Sequence, residues 1–386
     1  MKVIIIGNGA AGMAAAEAIR ERDADCEITM YSDEDRFHYS RPRIIEYLGG
    51  SVQADKLTIR GAEYYDKRRI RLVKPAVIES VDPAGRKVAL RGGGEDSFDR
   101  LVIAAGASAF LPPMEGSDLE GVFTLRTIDD ADKIMAFCRG KRRAVVVGGG
   151  LLGIETAASL AKAGLDTTVV EIFDRLLPRQ LDTDAAAMLR SMLEKSGLKF
   201  LLTRQSSSIG RCGSGLALNF SDGSSMDADI VVFSSGIRSN TSLASAAGIS
   251  CDKGIIVDEF METGAPGIYA AGDVAQFSGT VYGLWPAARE QGAFAGRNAA
   301  GERIAYPGSL VSSRLKVSGI EMASLGSIEA GEGIFAISRL IGSSFRRLFL
   351  KDGRLVGAIL IGDTTDYLKL QKLLKSGEIV DDPGSL

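Results

Sequence analysis

The chain of 386 residues has few of the residues that most often carry redox or metal chemistry, with one histidine and four cysteines. Cys26, Cys138, Cys212 and Cys251 lie far apart and form no CxxC pair or other metal-ligand spacing. This scatter argues against a disulfide framework, predicts no metal site and fits a reducing cytoplasm. The formal net charge of −3, from 46 basic and 49 acidic residues, argues against broad attraction to nucleic acids or membranes.

Long hydrophobic runs are also missing from the sequence. No stretch approaches the roughly 18 uninterrupted apolar residues that a membrane span needs. The first apolar run, MKVIIIG, is too short for the hydrophobic region of a signal peptide, and no small-residue cleavage site follows it. We therefore expect a cytoplasmic protein, and a chain of this length has room for two or three domains.

Glycine, by contrast, is abundant. Residues 7–12 have the sequence GNGAAG and form a GxGxxG turn. The turn follows the apolar strand KVIII and precedes a helix. In such a turn the first glycine permits the tight bend, the second lets the backbone approach a pyrophosphate, and the third lets helix and strand pack closely. Ser32, Asp33 and Glu34 end the next predicted strand, where an acid that binds a ribose is expected.

A second copy of the pattern occurs at residues 148–153, between the strand RRAVVV and another predicted helix. The strand TTVVE that follows this helix ends on Glu171. A carboxylate there can bind both hydroxyls of an NAD ribose and repels the extra phosphate of NADP, whereas the nearby Arg175 could accept that phosphate. Two complete copies indicate two dinucleotide sites, and NADH is the favoured nicotinamide nucleotide.

A third motif, IYAAGDV at residues 268–274, predicts a buried strand that ends in Gly272 and Asp273. An aspartate in this place can accept a hydrogen bond from a polyhydroxy chain lying across the first sheet. FAD has such a chain and NAD does not, so the first glycine turn is predicted to bind FAD.

Taken in order, these motifs resemble those of the FAD/NAD(P) pyridine nucleotide–disulfide oxidoreductases. Within that superfamily the sequence is most similar to the NADH:rubredoxin oxidoreductases and to the flavin module of NADH-dependent nitrite reductases. Besides the two turns and IYAAGDV, the resemblance rests on LVIAAG (101–106), FSSGIRSN (233–240), FHYSRPRIIEYLGG (37–50), LKVSGI (315–320) and ILIGDTTDYLKLQKLL (359–374).

The resemblance implies an α/β fold with two Rossmann-like dinucleotide-binding domains and a small carboxyl-terminal α+β domain. It places the FAD domain at 1–108 and 233–303, the NAD domain at 109–232, and an interface domain at 304–386. Hydride transfer between the two dinucleotides needs orientation and a dry site rather than a protein acid or base.

The resemblance also implies which residues bind the cofactors. Arg41 and Glu155 are the expected catalytic groups, because the family's arginine contacts the cofactor and its glutamate lies near the nicotinamide carboxamide and the flavin edge. For Glu155 an acid that only complements the helix dipole is an equal alternative. The expected cofactor-binding residues are Gly7, Gly9, Ala10, Ala11, Gly12, Ser32, Asp33, Glu34, Arg41, Pro42, Val77, Ala104, Ala105, Gly106, Gly148, Gly150, Leu151, Leu152, Gly153, Glu155, Glu171, Arg175, Gly236, Gly272, Asp273, Trp285 and Pro286.

The segment YSRPRIIEYL at 39–48 contains no cysteine. Disulfide reductases of the superfamily carry a redox cysteine pair on this helix, and peroxide-reducing relatives carry a single cysteine there. Residues 304–386 also lack the histidine that disulfide reductases use as a general acid. His38 could act as a redox-site acid, although a lone histidine in a loop is more often structural. Thiol chemistry is therefore not expected.

The predicted function is that of an FAD enzyme that oxidises NADH and reduces rubredoxin or a similar one-electron iron–sulfur carrier, as a monomer or homodimer. A basic rim would attract the acidic carrier, unless these residues are only scattered surface charge: Arg36, Arg41, Arg43, Arg314, Lys316, Arg346 and Arg347.

Two other functions stay open at this stage. One is an NADH oxidase or a diaphorase subunit of a larger redox complex, and the other is a flavin-binding, NADH-responsive interaction protein similar to apoptosis-inducing factor. A nitrite-reductase module is less favoured, because the sequence lacks the cysteine-rich extension that such enzymes use for a cluster.

Overall fold

The computed structural model describes residues 1–329, 331–380 and 382. The chain divides into two compact units. Unit 1 comprises Met1–Pro42, Ala54–Ser108 and Ile237–Ser309. Unit 2 comprises Arg43–Gln53, Ala109–Gly236 and the described residues from Leu310 onward. The three domains expected from the sequence, with their boundaries at 1–108 and 233–303, 109–232 and 304–386, stay a prediction.

Helices and strands alternate around the two glycine turns, whereas elsewhere several strands follow one another along the chain. The helices are α1 (Ala10–Arg22), α2 (Ile44–Leu48), α3 (Ala62–Lys67), α4 (Ile128–Phe137), α5 (Leu151–Lys162), α6 (Thr183–Lys195), α7 (Ser242–Ala246), α8 (Trp285–Ala299) and α9 (Tyr367–Ser376), with 3-10 turns at Arg41–Arg43 and Ala54–Leu57. The strands are β1 (Lys2–Ile6), β2 (Glu27–Tyr31), β3 (His38–Tyr39), β4 (Thr58–Arg60), β5 (Ile70–Val73), β6 (Ile78–Asp82), β7 (Lys87–Leu90), β8 (Glu95–Ser97), β9 (Arg100–Ile103), β10 (Ala107–Ala109), β11 (Val122–Thr124), β12 (Arg143–Val147), β13 (Asp166–Val170), β14 (Lys199–Leu201), β15 (Ser206–Cys212), β16 (Gly215–Phe220), β17 (Ser225–Ala228), β18 (Ile230–Phe233), β19 (Ile237–Ser239), β20 (Ile255–Val257), β21 (Ile268–Ala270), β22 (Ala275–Phe277), β23 (Ser312–Val317), β24 (Ile320–Gly326), β25 (Ile334–Ile341), β26 (Ser344–Lys351) and β27 (Arg354–Ile361).

Unit 1 is built on a parallel sheet of five strands in the order β21-β9-β1-β2-β5. The central strand β1 is buried as a continuous run, with Val3, Ile4 and Ile5 all inaccessible to solvent. Such runs are typical of parallel strands covered on both faces. The antiparallel ribbon β6–β7–β8 adds Val81 and Val88 to the same core.

Helices α1 and α8 of unit 1 pack closely because both have small residues along their contact. A Cβ atom on Gly292 would lie 2.2 Å from the carbonyl oxygen of Ala11, and one on Gly296 would lie 2.4 Å from that of Ala15. The two backbones therefore touch directly, and α8 also lies against β9 and β21.

Unit 2 repeats the parallel design with the strand order β11-β18-β12-β13-β14, and its residues from 310 onward add an antiparallel sheet ordered β23-β24-β27-β26-β25. Leu370 of α9 packs into the core of that second sheet beside Leu348 and Leu360. Two parallel-sheet units and a carboxyl-terminal antiparallel sheet with one helix confirm the fold class that the sequence predicts.

The short helix α2, part of the segment without cysteine, packs within unit 2 against α4 and α5. The Ser159 hydroxyl donates to the carbonyl oxygen of Ile45 at 3.1 Å, and the Tyr47 hydroxyl donates to Asp132 at 2.5 Å. The boundary between the two units falls inside the 3-10 turn at Arg41–Arg43, between Pro42 and Arg43.

In the described part of the chain, no helix is both long enough and apolar enough to cross a membrane. The same residues contain no group of three or more His, Cys, Asp or Glu side chains that could hold a metal ion.

The close contact between α1 and α8 predicts that one methyl group added at Gly292 lowers the stability of the fold. We expect Gly292→Ala to lower the free energy of unfolding by about 1–3 kcal/mol, because the new Cβ would meet backbone atoms of α1. The better helix propensity of alanine, worth about 1 kcal/mol, offsets this only in part. Chemical denaturation measures the effect. Gly264→Ala is the control, since a Cβ there has no atom within 4 Å, and equal stability of the two variants would contradict the packing.

Candidate functional site

The two glycine turns have the same backbone geometry, one in each unit. Gly7 and Gly148 adopt φ angles of 110° and 118°, which only glycine tolerates well. A Cβ atom on Gly7 would lie 2.2 Å from the carbonyl oxygen of Ala104, and one on Gly148 would lie 2.3 Å from that of Ser234. Each turn is therefore pressed against the residue that follows the neighbouring strand, β9 or β18, where the strand order of each sheet reverses.

Each turn has two further motif glycines. One lies in a tight contact, and the other lies beside open space. A Cβ atom on Gly12 or Gly153 would lie 1.9 Å from the carbonyl oxygen of the first glycine of its turn. A Cβ atom on Gly9 or Gly150 would have nothing within 4 Å. The open space lies where the backbone must approach a pyrophosphate.

The helices that follow the two turns begin without a side-chain cap. Gly9 and Gly150 are the N-cap residues of α1 and α5, and neither helix start receives a side-chain hydrogen bond. In contrast, Thr127 caps α4 and Asp182 caps α6. The first N–H groups of α1 and α5, which include Ala10, Ala11, Leu151 and Leu152, thus stay available to a ligand, and the helix dipole favours an anionic one. Both turns fit a dinucleotide pyrophosphate.

Beside the first turn, Glu34 forms a cluster with an arginine and a tyrosine. The Arg41 guanidinium donates to one carboxylate oxygen at 2.7 Å, and the Tyr39 hydroxyl donates to the other at 2.6 Å. The Ser32 hydroxyl donates to the backbone oxygen of Glu34 at 3.2 Å, while Asp33 is exposed. Of the three polar residues that follow β2, Glu34 is the one whose side chain is held by two other side chains.

Arg41 stays firmly charged in this cluster. Burial opposes the charge, but Tyr39, Glu34 and Asp273 outweigh it and raise the pKa of the guanidinium. Its side chain is 24% exposed, so part of it faces solvent or a ligand. The structure thereby brings together Glu34, Arg41 and Asp273, which come from three separate motifs and which the sequence predicts to lie in one site. Pro42, which the sequence predicts to bind the cofactor as well, is exposed.

The loops after β9 and β18 include residues whose role the sequence did not predict. Asn240 donates from its side-chain amide to the carbonyl oxygen of Ala105 at 2.8 Å. The Ser239 hydroxyl donates to the carbonyl oxygen of Asp273 at 2.8 Å. Gln291 likewise accepts from the N–H of Gly272 at 2.8 Å and holds the start of the Gly-Asp turn.

The remaining predicted residues of unit 1 line loops near the carboxyl ends of its strands or begin α8. Ala104 is buried, and Gly106 and Gly272 adopt positive φ angles. Val77 lies between β5 and β6, and its carbonyl oxygen accepts from the N–H of Arg91 at 2.9 Å. Trp285 and Pro286 start α8, whose N-cap Leu284 offers no side-chain bond.

In unit 2, Glu171 is buried and stabilises the second turn. One carboxylate oxygen accepts from the N–H of Gly149 at 2.6 Å, and the other accepts from the N–H of Phe173 at 2.9 Å. These bonds leave lone pairs on both oxygens for ribose hydroxyls. Arg175 pairs with Asp174 at 3.0 Å, and its Nε atom is buried without a hydrogen bond to any described residue. Gly236, with a φ of 93°, accepts from the N–H of Phe110.

Glu155 lies in the first turn of α5, two residues after Gly153. Burial raises the pKa of its carboxyl group to about 7, because the charged form loses its hydration. Near neutral pH the group can therefore hold or release a proton, as a candidate catalytic residue should.

Most members of the predicted basic rim have carboxylate partners. Arg41 pairs with Glu34, Arg43 with Glu46, Lys316 with Glu321, Arg346 with Asp366, and Arg347 with both Asp182 and Asp184. Arg314 lies over the ring of Tyr367. These partners offset the positive charge, which favours the alternative that the residues are scattered surface charge.

Comparison with known proteins agrees with this geometry. Residues 1–292 match the family model described as pyridine nucleotide-disulphide oxidoreductase, and residues 312–378 match the rubredoxin NAD+ reductase C-terminal domain. The chain belongs to the pyridine nucleotide-disulphide oxidoreductase family. Members of this family bind FAD and NADH, so the family, the enzyme class and the cofactors predicted from the sequence are confirmed at this level.

Relatives of the chain have several named activities. It is 34% identical to the assimilatory nitrate reductase electron transfer subunit of Bacillus subtilis, over 98% of this chain and 50% of that protein. It is 32% identical to the NADH-rubredoxin oxidoreductase of Clostridium acetobutylicum, over 100% of this chain and 97% of the relative. It is 33% identical to an NADH oxidase of Methanocaldococcus jannaschii, over 94% of this chain and 88% of the relative. The chain thus spans about half the length of the first of these relatives.

Solved structures show the same fold along the whole chain. The NAD-dependent persulfide reductase from A. fulgidus superposes with a TM-score of 0.91 at 29% identity, covering 100% of this chain and 79% of that one. The NADH:rubredoxin oxidoreductase from Clostridium acetobutylicum gives a TM-score of 0.82 at 32% identity, covering 100% and 97%. The individual site residues stay predictions, supported by the geometry above.

The position of Glu171 predicts a binding defect rather than a chemical one. We expect Glu171→Ala to raise the KM for NADH about ten- to hundredfold with little change in kcat, because it removes charged acceptors from the turn and from the ribose. Steady-state kinetics with NADH measures this. Asp174→Ala, beside it but exposed, is the control. An unaltered KM in Glu171→Ala would refute the assigned ribose contact.

The raised pKa of Glu155 predicts how stability depends on pH. Between the ordinary carboxyl pKa near 4.5 and the folded value of about 7, the folded chain binds a proton that the unfolded chain releases. The free energy of unfolding should therefore fall as pH rises through this window, by up to about 3 kcal/mol. Urea denaturation at pH 5 and pH 8 measures the fall.

Glu155→Gln should flatten this dependence on pH, because the amide does not titrate. The exposed Glu115→Gln serves as the matched control and should keep the slope of the unaltered protein. If Glu155→Gln kept that slope as well, another group would be responsible for it.

Proposed function

We propose that the chain is an FAD-dependent enzyme that oxidises NADH and passes the electrons singly to rubredoxin or a similar iron–sulfur carrier. The observation that carries the proposal is the absence of cysteine from residues 39–48, where thiol-dependent members of the family hold their redox sulfur. Electrons then have no sulfur relay beside the flavin and must leave it directly.

The four thiols of the chain lie elsewhere and are all poorly reactive. Cys26 is buried just before β2, at the end of the sheet opposite the first glycine turn. Burial raises the pKa of Cys26, Cys138 and Cys251, and a hydrogen bond to Asp227 raises that of Cys212. The thiolate is the reactive form of cysteine, so none of these groups is activated near neutral pH.

Binding and orientation are what the residues of this chain contribute to the reaction. The first turn, Arg41 and Asp273 would hold FAD, and the second turn and Glu171 would hold NADH. Bound FAD supplies the conversion from hydride transfer to single-electron transfer. Glu155, neutral or charged according to pH, can hold a proton at its carboxyl group near the nucleotide turn.

The comparisons support this acceptor class. The likeness to the NADH-rubredoxin oxidoreductase covers both chains almost completely. The match to the rubredoxin NAD+ reductase C-terminal domain over residues 312–378 supports the same choice.

Electrostatic steering contributes less to carrier docking than the sequence suggested. Since carboxylates offset most of the basic rim, we expect the rate of carrier reduction to depend only moderately on ionic strength.

Reduction of oxygen is the second candidate function. The likeness to an NADH oxidase over 88% of that protein and the lack of a thiol relay both favour it.

Stopped-flow spectroscopy distinguishes the two candidates. The purified yellow protein would be bleached with NADH under argon and then mixed with rubredoxin, cytochrome c or air. We expect rubredoxin to restore the flavin absorbance much faster than air does. If air matched rubredoxin, the oxidase would be the better assignment, and if no acceptor restored the absorbance, electron transfer to carriers would be excluded.

A variant without cysteine is the control for thiol independence. Cys26→Ala, Cys138→Ala, Cys212→Ser and Cys251→Ala together should leave the rate of rubredoxin reduction within about twofold, because none of these side chains lies in the proposed path. A large loss of rate in the folded variant would show that a thiol takes part.

A further inference from the structure

The single histidine and the single tryptophan of the chain lie against each other in unit 1. The ring centroids of His38 and Trp285 are 5.8 Å apart, and the ring planes differ by 21°. His38 belongs to β3 and is 5% exposed, while Trp285 is the first residue of α8. The stack therefore fixes the imidazole plane against the start of a helix.

Hydrogen bonds link His38 to the first glycine turn. Its Nδ1 atom lies 3.0 Å from the carbonyl oxygen of Asn8, the second residue of that turn. Because a carbonyl can only accept, the neutral imidazole must carry its hydrogen on Nδ1. Tyr65 donates from its hydroxyl to the side-chain oxygen of Asn8 at 2.7 Å and accepts from the backbone N–H of His38 at 3.2 Å. Both the backbone and the side chain of Asn8 are thus held.

The Asn8 carbonyl is significant because of the peptide to which it belongs. The peptide bond is planar and trans, so the carbonyl oxygen of Asn8 and the N–H of Gly9 point in opposite directions within one rigid plane. A donor that holds the oxygen on one side aims the N–H to the other side. Gly9 is the N-cap of α1, and the space before it is open.

We propose that His38 is a positioning residue for the first dinucleotide site, whose Nδ1–H holds the Asn8 carbonyl and thereby orients the Gly9 N–H toward the diphosphate of FAD. The proposal rests on the proposed function of this turn as the FAD site. His38 acts through Asn8 and need not touch the cofactor. The imidazole must also be neutral to avoid a buried charge beside Trp285.

The charges around His38 determine how the stability of this arrangement depends on pH. Burial lowers the pKa of the imidazole, the Asn8 carbonyl and Glu17 of α1 raise it, and Arg60 of β4 and Arg289 of α8 lower it, with burial dominant. The folded arrangement is therefore complete above the ordinary histidine pKa of about 6.5. As pH falls below that value the unfolded chain binds the proton first, so the free energy of unfolding should decrease. The imidazolium keeps its Nδ1–H, so the hydrogen bond to Asn8 and the FAD affinity of the folded chain should not depend on this protonation.

Two variants separate the hydrogen bond from the ring stack. His38→Asn places an amide N–H near the position of Nδ1 and removes the ring, whereas His38→Phe keeps a ring beside Trp285 and removes the donor. FAD would be removed from the full chain and titrated back at pH 8, with flavin fluorescence reporting the Kd and circular dichroism confirming the fold. We expect a rise in Kd of about three- to tenfold for His38→Phe and less than about twofold for His38→Asn.

The emission of Trp285 gives a readout that needs neither FAD nor a variant. Protonated imidazole quenches a neighbouring indole, so acidification of the unaltered chain from pH 8 to pH 5 should dim the emission with a midpoint below 6.5. His38→Phe should show no such dimming, and the FAD affinity of the folded, unaltered chain should stay the same across this midpoint.

The outcomes separate the failure of this proposal from that of the proposed function. Unchanged FAD affinity in folded His38→Phe would overturn the positioning role, and so would an equal loss in His38→Asn. If both variants failed to fold, a loss of FAD affinity in the folded, unaltered chain at the Trp285 midpoint would overturn it, because the Nδ1–H that holds Asn8 is present on both sides of that midpoint. A chain that takes up no FAD would instead refute the proposed function, even if Trp285 still reported the titration of His38.

Discussion

Both nucleotide sites depend on direct contact between backbones at positions where no side chain can fit. At Gly12 and Gly153 a Cβ atom would lie 1.9 Å from the carbonyl oxygen of the first glycine in the same turn. This contact brings each helix start close to its strand, and so places the N–H groups of the first helical turn at the carboxyl edge of the sheet. Gly9 and Gly150, the N-cap residues of α1 and α5, have no side chain and so leave the space before each helix open.

The acidic residues beside the two turns each have a structural partner as well as an expected ligand. Glu171 accepts from two backbone N–H groups, and Glu34 accepts from Arg41 and Tyr39. A carboxylate held in this way has already lost its side-chain freedom before a ribose arrives, so binding costs less conformational entropy.

The function inferred for the chain depends as much on what the site lacks as on what it contains. A flavoprotein of this family without an activated thiol must pass electrons from the flavin to an external acceptor. The structure adds that the described cysteines have raised pKa values and lie in separate parts of the fold. The arginines expected to attract an acidic carrier mostly pair with carboxylates of their own unit, which favours the alternative of scattered surface charge.

The sequence by itself determined the family, the fold class and the two glycine turns, because these depend on short-range patterns of strand, turn and helix. Close packing of Gly7 on Ala104, or of Gly148 on Ser234, is a property that every turn of this kind must satisfy, so the motif already implies it. Only the tertiary structure decided which charges pair and which rings stack. Arg347 meets Asp182, and His38 meets Trp285, across long stretches of chain that no local pattern connects. Such contacts depend on how whole elements pack, and elementary sequence periodicity carries no information about them.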